Sequence, residues 1–303
     1  MNTDIYENYV KQVAIEGNLT KAAEKLGISQ PALSSGLSSF EKKLGFRIFN
    51  RSVSPVSLTP EGEIFYDHLK RKAALNADFH NRIEACRGKR DDHVTIGASV
   101  VYTESIVSQA VCRLLIDKPD YSFLIRTAPL NRLIEMAEEG ELDCFISTSD
   151  KLPDEFLKEE IKREKIFLCV PKDRPINEQL RSYGSAPLGN DFVSLLEDED
   201  FICLEENQPI QQMIDSYLEE IHAKIKSHVT VNQISAAVNL TAMGTGCCFA
   251  TEDALFQPYI RESLCIYTMP ETISGRRIYA VRHRDFYQSS ACRDFIDTLI
   301  KGI

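Results

Sequence analysis

The chain has 303 residues, 43% apolar and 26% charged, which suits folded globular protein and is long enough for two or three domains. Its formal charge of −10 argues against nucleic acid as a partner of the whole chain, yet residues 1–88 hold 12 Lys and Arg against 10 Asp and Glu. The acid lies almost wholly in the remainder, so a DNA-facing front half with an acidic body held away from phosphate is allowed. Nine cysteines form no C-x-x-C pair and lie in apolar stretches, which points to reduced cytoplasmic thiols and not to a disulfide framework. The N-terminus lacks a basic and an apolar leader region, and no run reaches the length of a membrane span, so neither secretion nor a membrane partner is expected.

Tyr6, Tyr9, Val10, Val13 and Ala14 recur at helical spacing and predict a first helix that ends at Gly17. Thr20 is expected to cap a short second helix, Lys21 to Leu26, broken by Gly27. Ser29 caps a third, with Pro31 in its first turn, where a missing N–H is tolerated. Leu33, Leu37, Phe40 and Leu44 share one face of that helix, and Gln30, Ser34, Ser35 and Ser38 the other. A short helix, a glycine turn and a longer helix with a polar outer face make the plan of a helix-turn-helix, the last helix suiting a major groove of double-stranded DNA. Arg47–Asn50 and Val56–Leu58 read as two short strands around Arg51-Ser52-Val53-Ser54-Pro55, a wing whose Arg51 at the tip can reach a phosphate or a minor groove. Three small helices also occur as plain packing units, so spacing alone leaves DNA binding open.

The residues go further than the spacing. The run Gly17-Asn18-Leu19-Thr20-Lys21-Ala22-Ala23-Glu24-Lys25-Leu26-Gly27-Ile28-Ser29-Gln30-Pro31-Ala32-Leu33-Ser34 closely resembles the signature of the LysR-type transcriptional regulators. So do Phe40-Glu41-Lys42-Lys43-Leu44-Gly45, Ile48-Phe49-Asn50-Arg51 and Leu58-Thr59-Pro60-Glu61-Gly62, in the order and spacing of that family over about 60 residues. The resemblance implies DNA contact by Thr20, Ser29, Gln30, Pro31, Ser34, Ser35, Ser38 and Arg51. It also marks a departure. Ser35-Gly36 stands where many members carry a long basic or amide side chain, which removes a base-reading group, and Gly36 inside a helix costs about 1 kcal/mol relative to alanine.

Thr59 and Pro60 start a long helix, with Phe65, Leu69, Leu75, Phe79, Ile83 and Cys86 as an apolar stripe. Such a stripe packs on its own domain or on a second copy. The resemblance implies the second, making a homodimer or homotetramer. The charged run Gly88-Lys89-Arg90-Asp91-Asp92 reads as the domain boundary.

From residue 93 strands and helices alternate: strands at His93–Gly97, Tyr121–Thr127, Asp143–Ser147, Ile166–Val170, Phe201–Leu204, Val229–Val231 and Cys247–Ala250, with helices between most of them. Parallel or mixed sheets with helices on both faces follow. The resemblance implies a fold class for the whole chain: an N-terminal all-α-type winged helix-turn-helix with a long linker helix, then an α/β periplasmic-binding-protein-like effector domain with two lobes. The domains are then 1–58 for DNA binding, 59–88 for the linker and 93–303 for the effector, lobe I being about 93–164 and 268–303 and lobe II about 165–267. Ligands of such folds bind between the lobes, at strand ends and helix N-termini. The expected effector residues are Ser99, Tyr102, Thr103, Pro129, Asn131, Ser147, Thr148, Glu205, Asn207, Thr245 and Gly246. If Glu205 and its neighbour Glu206 face that cleft, they favour a ligand with an amine or hydroxyls; otherwise they are simply solvated.

No H-E-x-x-H, P-loop, G-x-S-x-G or G-x-G-x-x-G is present, so no catalytic or metal-binding residue and no cofactor is expected. Cys203 and the Cys247-Cys248 pair are the candidates for thiol-based sensing, with inert buried cysteine the plainer reading. A solute-binding module without DNA function predicts an export signal and no helix-turn-helix, neither of which fits. The reading is a cytoplasmic transcription regulator that binds DNA, senses a small molecule and contacts RNA polymerase.

Overall fold

Three helices open the chain, α1 (Thr3–Glu16), α2 (Leu19–Leu26) and α3 (Gln30–Leu44), in a computed structural model that describes residues 3–51, 53, 55–87, 92–196, 198–270, 272–273 and 275–302. They close on one core: Val10, Val13, Ala22, Ala23, Leu33, Leu37 and Phe40 are buried together with Ile48, Phe49 and Leu69. The cap of α2 is Asn18, not Thr20. The Asn18 carboxamide oxygen accepts from the Thr20 and Lys21 amides at 2.8 and 3.1 Å, so α2 starts earlier and Thr20 donates within its first turn. Gly27 ends α2 in the left-handed region at φ 67°, a conformation glycine adopts without a Cβ clash. Ser29 caps α3 as expected, its hydroxyl accepting from the Ala32 amide at 3.3 Å.

The wing strands are shorter than expected: β1 (Phe49–Asn50) pairs antiparallel with β2 (Ser57–Leu58). The reason is a side chain. Glu41 Oε1 accepts from the Ile48 and Phe49 amides at 2.9 and 3.2 Å, so these donors are satisfied outside the ladder. Then α4 (Pro60–Cys86) runs 27 residues, about 40 Å at 1.5 Å each. Thr59 caps it through the Gly62 amide at 3.0 Å. Gly62 is required by close approach, since a Cβ there would lie 2.0 Å from the Ile48 carbonyl oxygen. The apolar stripe of α4 divides: Phe65 and Leu69 join the core of the helical unit, while Leu75 and Phe79 stay 65% and 59% exposed.

The chain separates into two compact units, Met1–Cys86 with Glu138–Glu141, and Arg87–Ala137 with Leu142–Ile303. Of the expected boundary run, Gly88 to Asp91 lies outside the described residues.

The second unit begins with β3 (His93–Ala98) and a helix that starts as α5 (Val100–Tyr102), widens into a π turn over Thr103–Val107 and continues as α6 (Ser108–Asp117). There follow β4 (Ser122–Thr127), α7 (Leu130–Glu138), β5 (Cys144–Ser147) and β6 (Phe156–Glu164). Next come β7 (Ile166–Pro171), α8 (Asn177–Leu180), β8 (Asp200–Leu204), α9 (Pro209–Glu220), β9 (Lys226–Val231), α10 (Ile234–Ala242), β10 (Cys248–Thr251), α11 (Pro258–Ser263) and β11 (Leu264–Thr268). The last elements are β12 (Arg276–His283) and α12 (Ser290–Lys301).

The first lobe holds a mixed five-stranded sheet in the order β4-β3-β5-β12-β6. Its core packs Val94, Ile96 and Ile146 against Phe295, Ile296 and Leu299 of α12. On the other side Phe145 and Val281 meet Leu133 and Met136 of α7. The second lobe holds β10-β7-β11 and the parallel pair β8-β9, joined where Cys247 exchanges backbone hydrogen bonds with Asp200 and Ile202. The chain passes between lobes at Lys165 and returns between Thr268 and Arg276. No strand is assigned from the sequence at β6, β11 or β12; β11 is almost wholly apolar and β12 has an apolar centre, so only β6 lacks the signal. Six of the nine residues of β6 are charged, which suits its place on a sheet edge. No described helix is long and apolar enough to cross a membrane.

Candidate nucleic-acid face and effector cleft

The outer side of α3 is open. Thr20, Ser29, Gln30, Pro31, Ser35 and Ser38 are exposed, Ser34 is half-buried, and Leu33 and Leu37 anchor the helix from behind at 0% exposure. Gly36 turns toward α1: a Cβ there would come within 3.2 Å of the Tyr9 ring. The glycine therefore admits the α1 tyrosines and does not belong to the polar face.

Arg51 is not at the tip of a wing. Its Nη2 donates to Glu41 Oε2 at 2.8 Å, and its Nη1 to Ser38 Oγ at 2.9 Å and Ser34 Oγ at 3.4 Å. Glu41 is 9% exposed, and a carboxylate so enclosed draws the nearest guanidinium onto itself. Ser52 and Ser54 of the expected turn lie outside the described residues. Arg51 and Glu41 line a groove of about 750 Å³ together with Ser38, Phe46, Asn50 and two exposed cations, Lys42 on α3 and Arg47 just after it. Their position just past the polar run 29–39 is readable from the sequence.

Between the lobes lies a cleft of about 590 Å³. Seven of the expected residues line it: Ser99 after β3, Tyr102 on α5, Pro129 and Asn131 at the start of α7, Ser147 and Thr148 at the end of β5, and Asn207 before α9. Four do not. Thr103 stands beside the Thr127 hydroxyl at 3.4 Å. Glu205 lies outside the cleft, and it and Glu206 are exposed. Thr245 and Gly246 follow the C-terminal end of α10, whereas the cleft takes helix N-terminal ends. A Cβ on Gly246 would lie 2.6 Å from the Asp200 carbonyl oxygen, and Arg174 Nη2 donates to the Thr245 carbonyl at 3.4 Å. That loop is a packing junction. The matching loop at the other end of α10, Asn232 and Gln233, lines the cleft in its place.

Sequence reasoning also missed the inner wall, Glu164, Thr251 and Arg276. Tyr102 donates to Glu164 Oε1 at 2.9 Å, and Arg276 Nε donates to Glu164 Oε2 at 2.8 Å. Arg276 Nη2 also reaches the Tyr102 hydroxyl at 3.3 Å. Glu164 and Arg276 face each other across the β6–β12 register, at the points where the chain leaves and re-enters the first lobe. Burial pushes the Tyr102 hydroxyl well up, with the Glu164 carboxylate adding to it. Burial also opposes the charge on Arg276, but Tyr102 and Glu164 outweigh it and the guanidinium is held more firmly protonated. No signal in the sequence marks this cluster, since its members lie 62 and 112 residues apart.

The thiols are placed for packing. Cys169, hydrogen-bonded to Cys248 and buried, has its thiol pushed well up, and Cys144 beside Cys292 likewise. Burial and then Glu199 raise Cys247 to about 12, and burial raises Cys203.

Comparison with known proteins agrees with this architecture. Residues 8–63 match a family model described as bacterial regulatory helix-turn-helix protein, lysR family, and residues 87–302 match one described as LysR substrate binding domain. A probable RuBisCO transcriptional regulator of Trieres chinensis is 24% identical over 96% of this chain and 94% of its own length. A full-length OxyR variant from Pseudomonas aeruginosa has the same fold, with TM-score 0.66 at 21% identity, covering 97% of this chain and 93% of that one. Full-length CbnR in complex with its target DNA superposes with TM-score 0.62 at 16% identity, covering both chains fully.

Proposed function

The chain belongs to the LysR family of DNA-binding transcription regulators, which are not enzymes, and we propose that it acts in the cytoplasm as a dimer whose two α3 helices read one operator under control of an effector held between the lobes. In this reading residues 1–58 bind DNA, 59–88 link, and 93–303 sense. The observation that carries it is the exposed polar side of α3, from Ser29 to Ser38, set on a sealed apolar back and flanked by Lys42 and Arg47. Short hydroxyl and amide side chains approach base edges, while the cations take phosphates. Leu75, Phe79 and Ile83 on the exposed stretch of α4 support pairing with a second copy, and a dimer presents two reading helices about one or two turns of duplex apart. Effector binding shifts the balance between two arrangements of the lobes, and the response passes to the DNA and to RNA polymerase.

The test is fluorescence anisotropy of the full chain on duplexes selected from a random pool. A selected duplex should bind at least about 1,000-fold tighter than bulk DNA, with affinity falling steeply with salt. Gln30→Ala should erase most of that preference and leave bulk binding intact. Lys42→Gln should weaken both equally. No salt-sensitive binding to any duplex ends the reading. For assembly, Phe79→Glu should convert the dimer to monomer in sedimentation, and a tetramer before mutation would extend the assembly without changing the head.

A further inference from the structure

We propose that the effector of the cleft is a small carboxylate, its charged end received at the inner wall by Arg276 and Thr251 and its apolar body lying toward the outer lining. This rests on the cleft being the effector site and names the ligand class that the site selects. The first observation is the arrangement of charge in the lining. The cleft has one cation among its described lining residues, Arg276, and one carboxylate, Glu164. Both oxygens of Glu164 are already engaged, by Tyr102 and by Arg276, and its side chain is fully enclosed. No carboxylate is therefore left to greet an amine. Arg276 keeps a 20% exposed side chain, and its bonds to Glu164 and Tyr102 run through Nε and Nη2, so Nη1 is the donor left to turn to a ligand.

Thr251 is the second, independent observation. It lines the cleft, is 2% exposed, and its Oγ1 is buried without a hydrogen-bond partner. A buried hydroxyl left unpaired is unfavourable, and a ligand oxygen satisfies it. Helix ends act in the same direction. The starts of α7, α9 and α10 all line the cleft through Leu130, Pro209 and Ile234, and the caps of α9 and α10, Gln208 and Gln233, make no side-chain cap bond. Each start carries roughly half a positive charge in unpaired N–H groups. The remaining polar lining is uncharged amide and hydroxyl, and Val101, Leu130, Ile146, Ile210 and Ile234 supply an apolar wall. In this arrangement Glu164 and Tyr102 are positioning residues: they hold Arg276 by its Nε side and leave its far edge to the ligand.

The test uses three probes with one tail and three charges: hexanoate, hexanamide and hexylamine, titrated into the full chain at constant ionic strength by calorimetry and thermal shift. Hexanoate should bind with a Kd below about 10 mM and at least about tenfold better than the amide, with the amine weakest. Removing Arg276 alone would strand Glu164, so the variant is the double Glu164→Gln, Arg276→Gln, in which hexanoate should weaken at least about tenfold while hexanamide is unchanged. Thr251→Val, which keeps the shape, should weaken hexanoate several-fold and gives a second readout if the double variant fails to fold. Preference for the amide or the amine, hexanoate affinity indifferent to both variants, or no hexanoate binding at that concentration overturns the assignment. Ala128→Trp fills the cleft and separates the two levels of the argument. Probe binding that survives it removes the cleft as the effector site, whatever the charge preferred.

Discussion

The polar side of α3 and the cleft between the lobes are assembled in opposite ways. Apart from Thr20 of α2, the side chains of the α3 face come from one stretch of eleven positions, 29–39, and the helical period puts them there. The cleft draws on segments from Ser99 to Arg276, and the sheets of both lobes must form and meet before those residues become neighbours. A face on one helix depends on how that helix is docked and little on the residues between. A cleft made of loop ends depends on which end of each helix faces inward. The first kind of site should break by undocking, the second by local chemistry.

The largest expected effect is at the docking of the helical unit. In Gly62→Ala the new Cβ meets the Ile48 carbonyl carbon and oxygen at 2.8 and 2.0 Å, both backbone atoms that cannot swing aside. We expect a loss of at least about 3 kcal/mol in that unit. Melting should show an early transition absent from the native chain, with DNA binding abolished and hexanoate binding kept. A single unshifted transition would mean that docking is not what the α3 face relies on.

Next comes Glu41, which satisfies two wing amides and one guanidinium. Glu41→Ala strands all three, and urea unfolding should lose about 2–4 kcal/mol. Glu41→Gln keeps an acceptor for Ile48 and Phe49 and gives up only the charge on Arg51, so it should lose about half as much. Equal losses from the two variants would assign the whole effect to the ion pair.

These contrasts also explain what the sequence made legible. Helix ends, the Ser29 cap, the apolar back of α3 and the Thr59-Pro60 start are local, and they stand where the residues predict. Asn18 displaced Thr20 as a cap because both are good cap residues two positions apart, and only the backbone at Asn18, extended at φ −149°, decides between them. Arg51 turns onto α3 and not to the wing tip because its partner Glu41, ten positions away across a turn, draws it there. Seven cleft residues followed from the rule that ligands meet strand ends and helix starts. Thr245 and Gly246 lie away from the cleft because they follow the C-terminal end of α10, and only its N-terminal end faces inward. Glu164 and Arg276 are out of reach, since β6 and β12 have to be recognised and paired first, whereas Thr251 ends β10, one position past the strand expected at Cys247–Ala250.

A smaller effect concerns the thiols. Cys86 and Cys112 are exposed, and the other seven are buried or half-buried. The upward shifts of Cys144, Cys169, Cys203 and Cys247 keep those groups as neutral thiol through the working pH range, and neutral thiol is a poor nucleophile. Titration with a thiol reagent at neutral pH should show Cys112 as a fast group, with Cys86 fast only where α4 is unpaired and the rest appearing only in denaturant. Mild peroxide should leave DNA affinity unchanged. A fast third group matched by altered DNA binding would give the second lobe a redox role.

The smallest expected effect is a null at Glu205 and Glu206, and it is the sharpest control on the cleft. Both lie two positions or fewer before Asn207, which lines the cleft, so sequence distance alone makes them as good a candidate as their neighbour. Their side chains are exposed and absent from the lining, and charges in water are screened over about 8 Å at physiological salt. Glu205→Gln and Glu206→Gln should therefore leave the order hexanoate, hexanamide, hexylamine and each affinity within about twofold of the native chain. A gain for hexanoate with a loss for hexylamine well beyond twofold in either variant would mean that these carboxylates swing into the cleft when a ligand arrives, and the charge preference of the site would then be set by its rim as well as by Arg276.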